Sequence, residues 1–309
     1  MKILITGGAG FIGSHVADAC IEAGNSVVIV DDLSSGEIEN VNEKAVFVQM
    51  DIRDETIDQL FDFHKFDVVI HHAAQMDVRK SVEDPGFDAS VNIIGTLNLL
   101  ENCKKFGVNK FIFASTGGAI YGEQDYFPAD EKHPVRPLSP YGIAKLAVEK
   151  YLFYYNAVFG LHYICLRYAN VYGPRQNPHG EAGVVAIFSN KMLSGKQPII
   201  NGDGKQTRDY TFVGDVVRAN MLALGYDKSD IFNVGTGIET DVNTLARYIK
   251  EFAGAKSEEI HGEAKKGEQL RSVLDNKKIN TVLGWKPNVS VEDGLKITVA
   301  FFRDKIFGK

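Results

Sequence analysis

Two side chains set four residues apart carry the most legible chemistry in this chain. Tyr141 and Lys145 lie in the stretch Ser139-Pro140-Tyr141-Gly142-Ile143-Ala144-Lys145. On an α-helix that spacing stacks both side chains on one face. A phenol ionises near pH ~10 and is a poor base at neutrality, but a neighbouring ammonium stabilises the phenolate and lowers that value. The pair is therefore a candidate general base. A tyrosine and a solvated lysine that merely share a helix face would show the same spacing, so the assignment depends on the rest of the chain. Ser139 is a favoured N-cap and Pro140 a favoured first residue, which starts a predicted helix just before the tyrosine and carries it over 140–159.

The elements that would hold such a pair begin at the N-terminus. Residues 2–6 are apolar and β-prone, and Gly7-Gly8-Ala9-Gly10-Phe11-Ile12-Gly13 follows directly, then a helical pattern to about Ala23. Strand, glycine-rich turn and helix in that order suit a dinucleotide, with its pyrophosphate against backbone amides at a helix N-terminus. A second strand, 26–30, ends at Asp31-Asp32. A carboxylate there accepts the ribose hydroxyls of NAD and repels the 2′-phosphate of NADP, and no arginine lies between 31 and 37. NAD is the expected cofactor. Asp31 as a simple strand-end turn residue is the competing reading.

The pattern repeats. A strand over 45–49 ends at Asp51-Ile52, a helix is predicted near 56–64, and a strand over 67–70 leads into His71-His72-Ala73-Ala74-Gln75. The small residues 73 and 74 would let a cofactor approach the backbone. Adjacent histidines on a strand face opposite ways, which argues against a metal site. One long helix is predicted over 87–106. It carries Asn92, either a ligand-side hydrogen bonder or a solvated residue. Strand 110–114 ends at Ser115-Thr116-Gly117-Gly118, and hydroxyls at the C-terminal end of a parallel strand point into the crevice where such sheets bind ligands. This alternation through 170 predicts an α/β fold with a doubly wound parallel sheet. Beyond it, 199–204 reads as a strand and hairpin turn, with helices near 184–195, from 215, and near 241–253, 275–283 and 291–307. Helix 140–159 carries Tyr151, Phe153, Tyr154, Tyr155 and Phe159, more aromatic surface than one core-facing stripe uses. The excess suits either a second subunit or deeper burial.

The 309 residues suffice for one large or two ordinary domains, and the formal charge of −6 with no basic block argues against nucleic acid. Three scattered cysteines argue against a disulfide framework and fit a reducing cytoplasm. No apolar stretch approaches the ~18 residues of a membrane span.

Taken in order, the Gly7/Gly10/Gly13 turn, Asp31, Asp51-Ile52, Ala73-Ala74, Asn92, Ser115-Thr116, Tyr141/Lys145, Tyr168-Ala169-Asn170 and Arg208-Asp209-Tyr210 resemble the extended short-chain dehydrogenase/reductase family over essentially the whole chain. Within it, Ser-Thr-Gly-Gly-Ala-Ile-Tyr-Gly (115–122) and Gly-Glu-Ala-Gly-Val-Val-Ala-Ile-Phe (180–188) are similar to a compact branch of the bacterial UDP-glucose (UDP-galactose) 4-epimerases.

The resemblance implies a Rossmann NAD-binding domain over 1–170, with 211–234 returning to it, and a smaller mixed α/β nucleotide-sugar domain over 171–210 and 235–309. It implies cofactor contacts from the turn (with Phe11 and Ile12), from Asp31, Asp32, Leu33, Ser34, Ser35 and Gly36, and from Asp51 and Ile52. Further contacts fall to Ala73, Ala74, Gln75, Asn92, Ser115, Tyr141, Lys145, Tyr168 and Val171. Thr116, Tyr141, Asn170, Gly183, Val184, Arg208, Arg271 and Ser272 fall on the substrate side, with Arg208 on a surface ion pair as the competing reading. Thr116, Tyr141 and Lys145 are the implied catalytic residues. Tyr141 would take the proton of the sugar 4-hydroxyl while hydride passes to tightly bound NAD and back to the other face of a 4-keto sugar. Related 4,6-dehydratases carry acidic residues beside the threonine, where this chain has Gly117 and Gly118. Relatives have an Arg-x-Gly-Asp run where this chain has Lys265-Lys266-Gly267-Glu268, and the small Ser272 leaves room for an N-acetyl group. The resemblance also implies a homodimer through the 87–106 and 140–159 helices. UDP-glucuronate 4-epimerase, a dehydratase and a non-catalytic NAD-binding regulator are the alternatives.

Overall fold

A computed structural model describes residues 1–178, 183–256, 258–264 and 269–308. The first half alternates strand and helix. β1 (Lys2–Thr6) leads to α1 (Phe11–Glu22), β2 (Ser26–Asp31), β3 (Val46–Gln49), α2 (Ile57–His64) and β4 (Val68–His71). Next come α3 (Val78–Glu83), α4 (Pro85–Ala89), a π-helical turn (Ser90–Ile94) and α5 (Gly95–Phe106). They are followed by β5 (Lys110–Thr116), a one-turn α6 (Gly117–Ile120), α7 (Pro140–Phe159), β6 (His162–Tyr168) and β7 (Asn170–Tyr172). The remainder comprises α8 (Val184–Leu193), β8 (Ile199–Asn201), β9 (Thr207–Phe212), α9 (Val213–Leu224), β10 (Asp230–Val234), β11 (Glu239–Asp241) and α10 (Val242–Ala253). It ends with β12 (Ile260–Gly262), β13 (Arg271–Ser272), α11 (Lys277–Leu283) and α12 (Val291–Phe307).

Seven strands form one parallel sheet in the order β10-β6-β5-β4-β1-β2-β3. Its inner strands are continuous apolar runs because helices cover both faces. Alternation along the strands sorts the core. Ile3, Ile5, Ile29, Ile70 and Ile112 pack towards α1 and α9, whereas Leu4, Val28, Val69, Phe111 and Phe113 pack towards α2, α5 and α7. Ile279 of α11 and Trp285 join the first of these cores. A third apolar cluster joins α8, α10 and α12 through Phe188, Leu245, Ile249, Leu295 and Val299. β9 stands at the centre of a smaller sheet, pairing with β7, β11 and β13.

Two local expectations are corrected. The single helix over 87–106 is interrupted by the π turn, which buries Asn92 and turns its amide to the neighbouring Gln75 backbone. Stretch 199–204 is no hairpin. β8 pairs in parallel with β12, 61 residues later in the chain, while the turn after it places the Gly204 carbonyl to accept from Val242 and Asn243 N at the start of α10. Its glycines satisfy turn geometry without dictating the partner strand. The short α3, β11 and β13 lie below the length at which periodicity distinguishes an element.

Candidate active site

The crevice opens where the parallel strands end. Gly7 closes β1 at φ +70°, and a Cβ there would come within 2.5 Å of Ala73 N. A Cβ on Gly13 would lie 2.2 Å from Gly7 O, so α1 can start this close to the turn only with glycine at 13. The arrangement leaves the N-terminus of α1 bare of side chains, and its Gly10 N-cap makes no side-chain cap bond. Asp31 ends β2, nearly buried, with Oδ2 accepting from Ala9 N (3.0 Å) and Oδ1 from Leu33 N (2.9 Å). Each oxygen keeps acceptor capacity. Burial raises its pKa, against the pull of those backbone bonds. The 32–36 loop folds back on this carboxylate. Asp32 accepts from Ser34 N and Oγ (2.9 and 2.6 Å), Leu33 takes φ +59°, and a Cβ on Gly36 would lie 2.8 Å from Asp31 Oδ1. A bare helix N-terminus beside a buried carboxylate fits a dinucleotide with free ribose hydroxyls.

α7 begins as its sequence requires. Ser139 Oγ accepts from Gly142 N at 3.1 Å, and Pro140 occupies the first turn. Lys145 is 4% exposed. Its ammonium donates to Ala114 O at 2.9 Å and lies 4.7 Å from the Phe113 ring centre and 5.7 Å from that of Tyr141. Burial pulls its pKa from 10.5 down to about 8, against the charge of Asp88. Tyr141 is half-buried on the same face. Thr116 ends β5 and caps α6, its Oγ1 accepting from Ala119 N at 3.2 Å, and α6 abuts α7 closely enough that a Cβ on Gly142 would lie 2.8 Å from Ala119 O. A Cβ on Gly118 would sit 3.9 Å from both Thr116 Oγ1 and Asn170 Oδ1. Base, cation, hydroxyl and Asn170 thus share one edge of the sheet.

Several expected ligand-side groups also have partners within the protein. Ser115 does not turn its hydroxyl into the crevice. Alternation points it into the protein, where it donates to Glu149 Oε1 at 2.7 Å. Asn92 is buried and brackets the Gln75 backbone, donating to its O and accepting from its N at 2.9 Å each. Asp51 is bound by Arg53 through Nε (3.0 Å) and Nη2 (2.5 Å), which lowers its pKa. Ile52 is buried in the core on the α5 side. The two histidines do diverge. His71 is buried between Thr6 Oγ1 (2.6 Å) and Thr96 Oγ1 (2.9 Å), while His72 reaches the Tyr168 hydroxyl at 3.3 Å. Burial, then the Lys145 charge, hold both neutral, His72 at about 3. Among the described residues no three His, Cys, Asp or Glu side chains form a metal-binding group.

A buried chain behind the site escapes the motif reading. Arg167 pairs with Glu149 (Nε–Oε1 2.9 Å, Nη2–Oε2 2.6 Å) and donates to the Tyr121 hydroxyl at 2.9 Å, which donates to Asn233 Oδ1 at 2.7 Å. The signal was available, since Glu149 stands four residues after Lys145 on the same helical face.

Comparison with known proteins agrees with this geometry. The sequence pattern described as the NAD dependent epimerase/dehydratase family matches residues 3–235. The chain belongs to that family. As a member it is an NAD-dependent enzyme. A UDP-glucose 4-epimerase from Mycolicibacterium smegmatis is 46% identical over 99% of both chains. The crystal structure of a UDP-glucose 4-epimerase with UDP-glucose from Thermotoga maritima superposes with a TM-score of 0.97 at 52% identity, over 99% of this chain and 100% of the other. A Thermus thermophilus UDP-glucose 4-epimerase in complex with NAD gives 0.93 at 44% identity, over 98% of this chain and 99% of the other.

In the smaller sheet of this epimerase/dehydratase scaffold, β7 and β13 flank opposite parts of β9, bringing Asn170 opposite Tyr210 and Ser272 opposite Arg208. Arg208 donates to its neighbour Thr207 O at 2.8 Å and makes no carboxylate pair among the described residues. Arg271 instead forks onto Glu239 (3.0 and 2.6 Å) and covers the Phe127 ring at 3.9 Å, which ties its guanidinium to the protein. Gly183 caps α8 and Val184 starts it. Tyr168 and Val171 pack in or against the core beneath α1 and α9, the Tyr168 hydroxyl accepting from Asn220 at 2.8 Å. The Lys265–Glu268 run and residues 180–182 of the epimerase-like stretch lie outside the described residues.

Proposed function

We propose that the chain is a UDP-hexose 4-epimerase interconverting UDP-glucose and UDP-galactose, with room for N-acetylated UDP-hexoses. The observation that carries this is the Tyr141–Lys145 pair set beside Thr116 with no carboxylate next to that threonine. A dehydratase needs a placed acid and base to eliminate water. Here a Cβ on Gly117 would lie 2.5 Å from Leu274 Cδ1, so an acidic side chain at 117 would require Leu274 to move. The likeness to the three UDP-glucose 4-epimerases above supports the same reading, and a regulator would not need a base.

NAD, when bound, supplies the hydride acceptor and donor for sugar carbon 4. The bare start of α1, with Gly7, Gly10 and Gly13, receives its pyrophosphate, and Asp31 accepts its adenosine ribose hydroxyls. Tyr141 removes and returns the proton of the 4-hydroxyl. Lys145, anchored on Ala114 O, stabilises the phenolate, and Thr116 hydrogen-bonds the reacting oxygen. Asn170 and Arg208 hold the diphosphate, for which a guanidinium is suited. Ser272 leaves space at sugar carbon 2. The NAD domain comprises 1–170 with 211–234, and the sugar domain 171–210 and 235–309. The outer face of α7, with Phe153 (62% exposed), Tyr154 and Phe159, pairs with a second copy of the chain alongside α5. Three buried free cysteines suit the cytoplasm, and among the described residues no helix is long and apolar enough to cross a membrane.

The test is a panel of UDP-galactose, UDP-GalNAc and UDP-glucuronate given to purified protein without added cofactor, with products separated by chromatography. Conversion of UDP-galactose to UDP-glucose is expected. Turnover of UDP-glucuronate alone, or loss of water from the sugar, refutes the assignment. Ser272→Tyr abolishes any turnover of the N-acetylated sugar and spares UDP-galactose; unchanged use of both removes Ser272 from the pocket.

A further inference from the structure

Asp88 lies on α4, one turn ahead of Asn92, and is 1% exposed. Its Oδ1 accepts from Gln75 Nε2 at 2.9 Å and from Asn92 Nδ2 at 3.0 Å. Both amides are otherwise fully occupied. Gln75 gives its second N–H to Asp77 O (2.9 Å) and accepts from Asp77 N (2.7 Å), while Asn92 gives its second N–H to Gln75 O at 2.9 Å. Neither has a hydrogen left for Oδ2, which is buried without a hydrogen-bond partner. A bare, buried carboxylate oxygen is unfavourable unless a positive charge faces it. Lys145, on the helix packed against α4, is the cation that acts on it, from beyond ion-pair distance. α4 packs on α7, the Asp88 charge helps Lys145 keep its proton, and the lysine in turn opposes the rise that burial imposes on the Asp88 carboxyl.

Other groups around the ammonium leave this role open. β5 presents the Ala114 carbonyl and the Phe113 ring, α7 itself presents Tyr141, and β4 presents His71 and His72, both neutral. Among the charged groups of the other packed elements, Arg79 of α3 pairs with Asp77, Glu101 with Lys104 in α5, and Glu149 of α7 with Arg167 of β6, while Lys80 and Glu83 of α3 and Lys150 of α7 are exposed to solvent.

We propose that Asp88 is a positioning residue, the fixed buried counter-charge of Lys145, which at the same time clamps the Gln75 loop at the edge of the crevice. The proposal rests on the reading of Tyr141 and Lys145 as base and cation. Asp88→Asn keeps the shape and the Oδ1 acceptor and removes the charge. Removing a negative charge lowers the pKa of each ionisable neighbour. In the holoenzyme the acid limb of kcat against pH, set by Tyr141, and the alkaline limb, set by Lys145, both move to lower pH by about half a unit or more, with KM little changed. A profile lowered in height with both limbs in place is the signature of a structural role and overturns the proposal. A second measurement needs neither turnover nor that variant. In the Lys145→Met protein the Asp88 carboxyl, followed by carbon-13 NMR, titrates about a unit or more higher than in the parent. An unmoved midpoint overturns the proposal even if the chain proves to be an epimerase; a raised midpoint with no UDP-hexose turnover by the parent sinks the epimerase reading alone.

Discussion

Lys145 presents a conflict that can be measured. Its ammonium is buried against Phe113 with one carbonyl partner, and its pKa falls from 10.5 to about 8. That fall corresponds to about 3 kcal/mol of folding free energy at neutral pH. The sign is fixed by linkage. Between pH 8 and 10.5 the unfolded chain holds the proton more tightly than the folded one, so the lysine's effect on stability improves as pH rises through that window. Below pH 8 both states are protonated and the full cost is present. Replacing Lys145 by Met removes the cost. The assay is urea unfolding of nucleotide-free protein, parent and Lys145→Met, at half-unit steps from pH 7 to 10.5. The difference between the two free energies cancels the titration of other groups. The stability of Lys145→Met relative to the parent is greater at pH 7 than at pH 10.5 by about 3 kcal/mol, and this excess fades across the window. A difference that stays constant from pH 7 to 10.5 refutes the claim that a buried ammonium sits beside Tyr141.

Three other variants test separate parts of the site. Tyr141→Phe keeps the fold and bound NAD and loses about 10²–10⁴ in kcat, the usual weight of a general acid–base group, and unimpaired turnover dismisses Tyr141 as the base. Asp31→Ala removes the carboxylate that Ala9 and Leu33 orient and narrows the preference for NAD over NADP at least about tenfold, read from binding of both; unchanged selectivity refutes its role. Arg167→Met strands the Glu149 carboxylate and destabilises by about 3–5 kcal/mol, much of it recovered when Glu149→Leu is added, whereas purely additive losses show that the two are not coupled.

The sheet was legible because its strands are buried on both faces and read as apolar runs, each followed by its punctuation: Gly7 after β1, Asp31 at the end of β2, Ala73 after β4. The start of α7 was legible to the residue, because Ser139 and Pro140 are terminal signals set by local backbone geometry. What escaped is non-local. No pattern in 199–204 announces that β8 pairs with β12 rather than with the next stretch of chain. Ser115 and Thr116 look equivalent in sequence, and only the register of β5 against β6 sends one hydroxyl to Glu149 and leaves the other at the edge. Asn92 was noticed, but not its partner Asp88. A buried carboxylate four residues upstream on a helix looks like a surface acid until the tertiary structure covers it.

The same topology explains why the chemistry gathers where it does. In a parallel sheet every strand ends at one edge, so residues that follow β1, β2, β4, β5 and β6 converge whatever their distance in sequence. Gly7, Asp31, Ala73, Thr116 and Tyr168 all stand at or just past those ends. α7 runs back along the α5 side of the sheet and brings Tyr141 and Lys145 to the edge at its first turns, with α4 and α6 packed against it. Lys145 is then forced into the gap between α7 and β5, which removes it from water. An ammonium in that position loses hydration that one carbonyl cannot replace. The residual charge must be met by groups reaching in from α4, and Asp88, with one oxygen bonded and the other bare, is built to meet it.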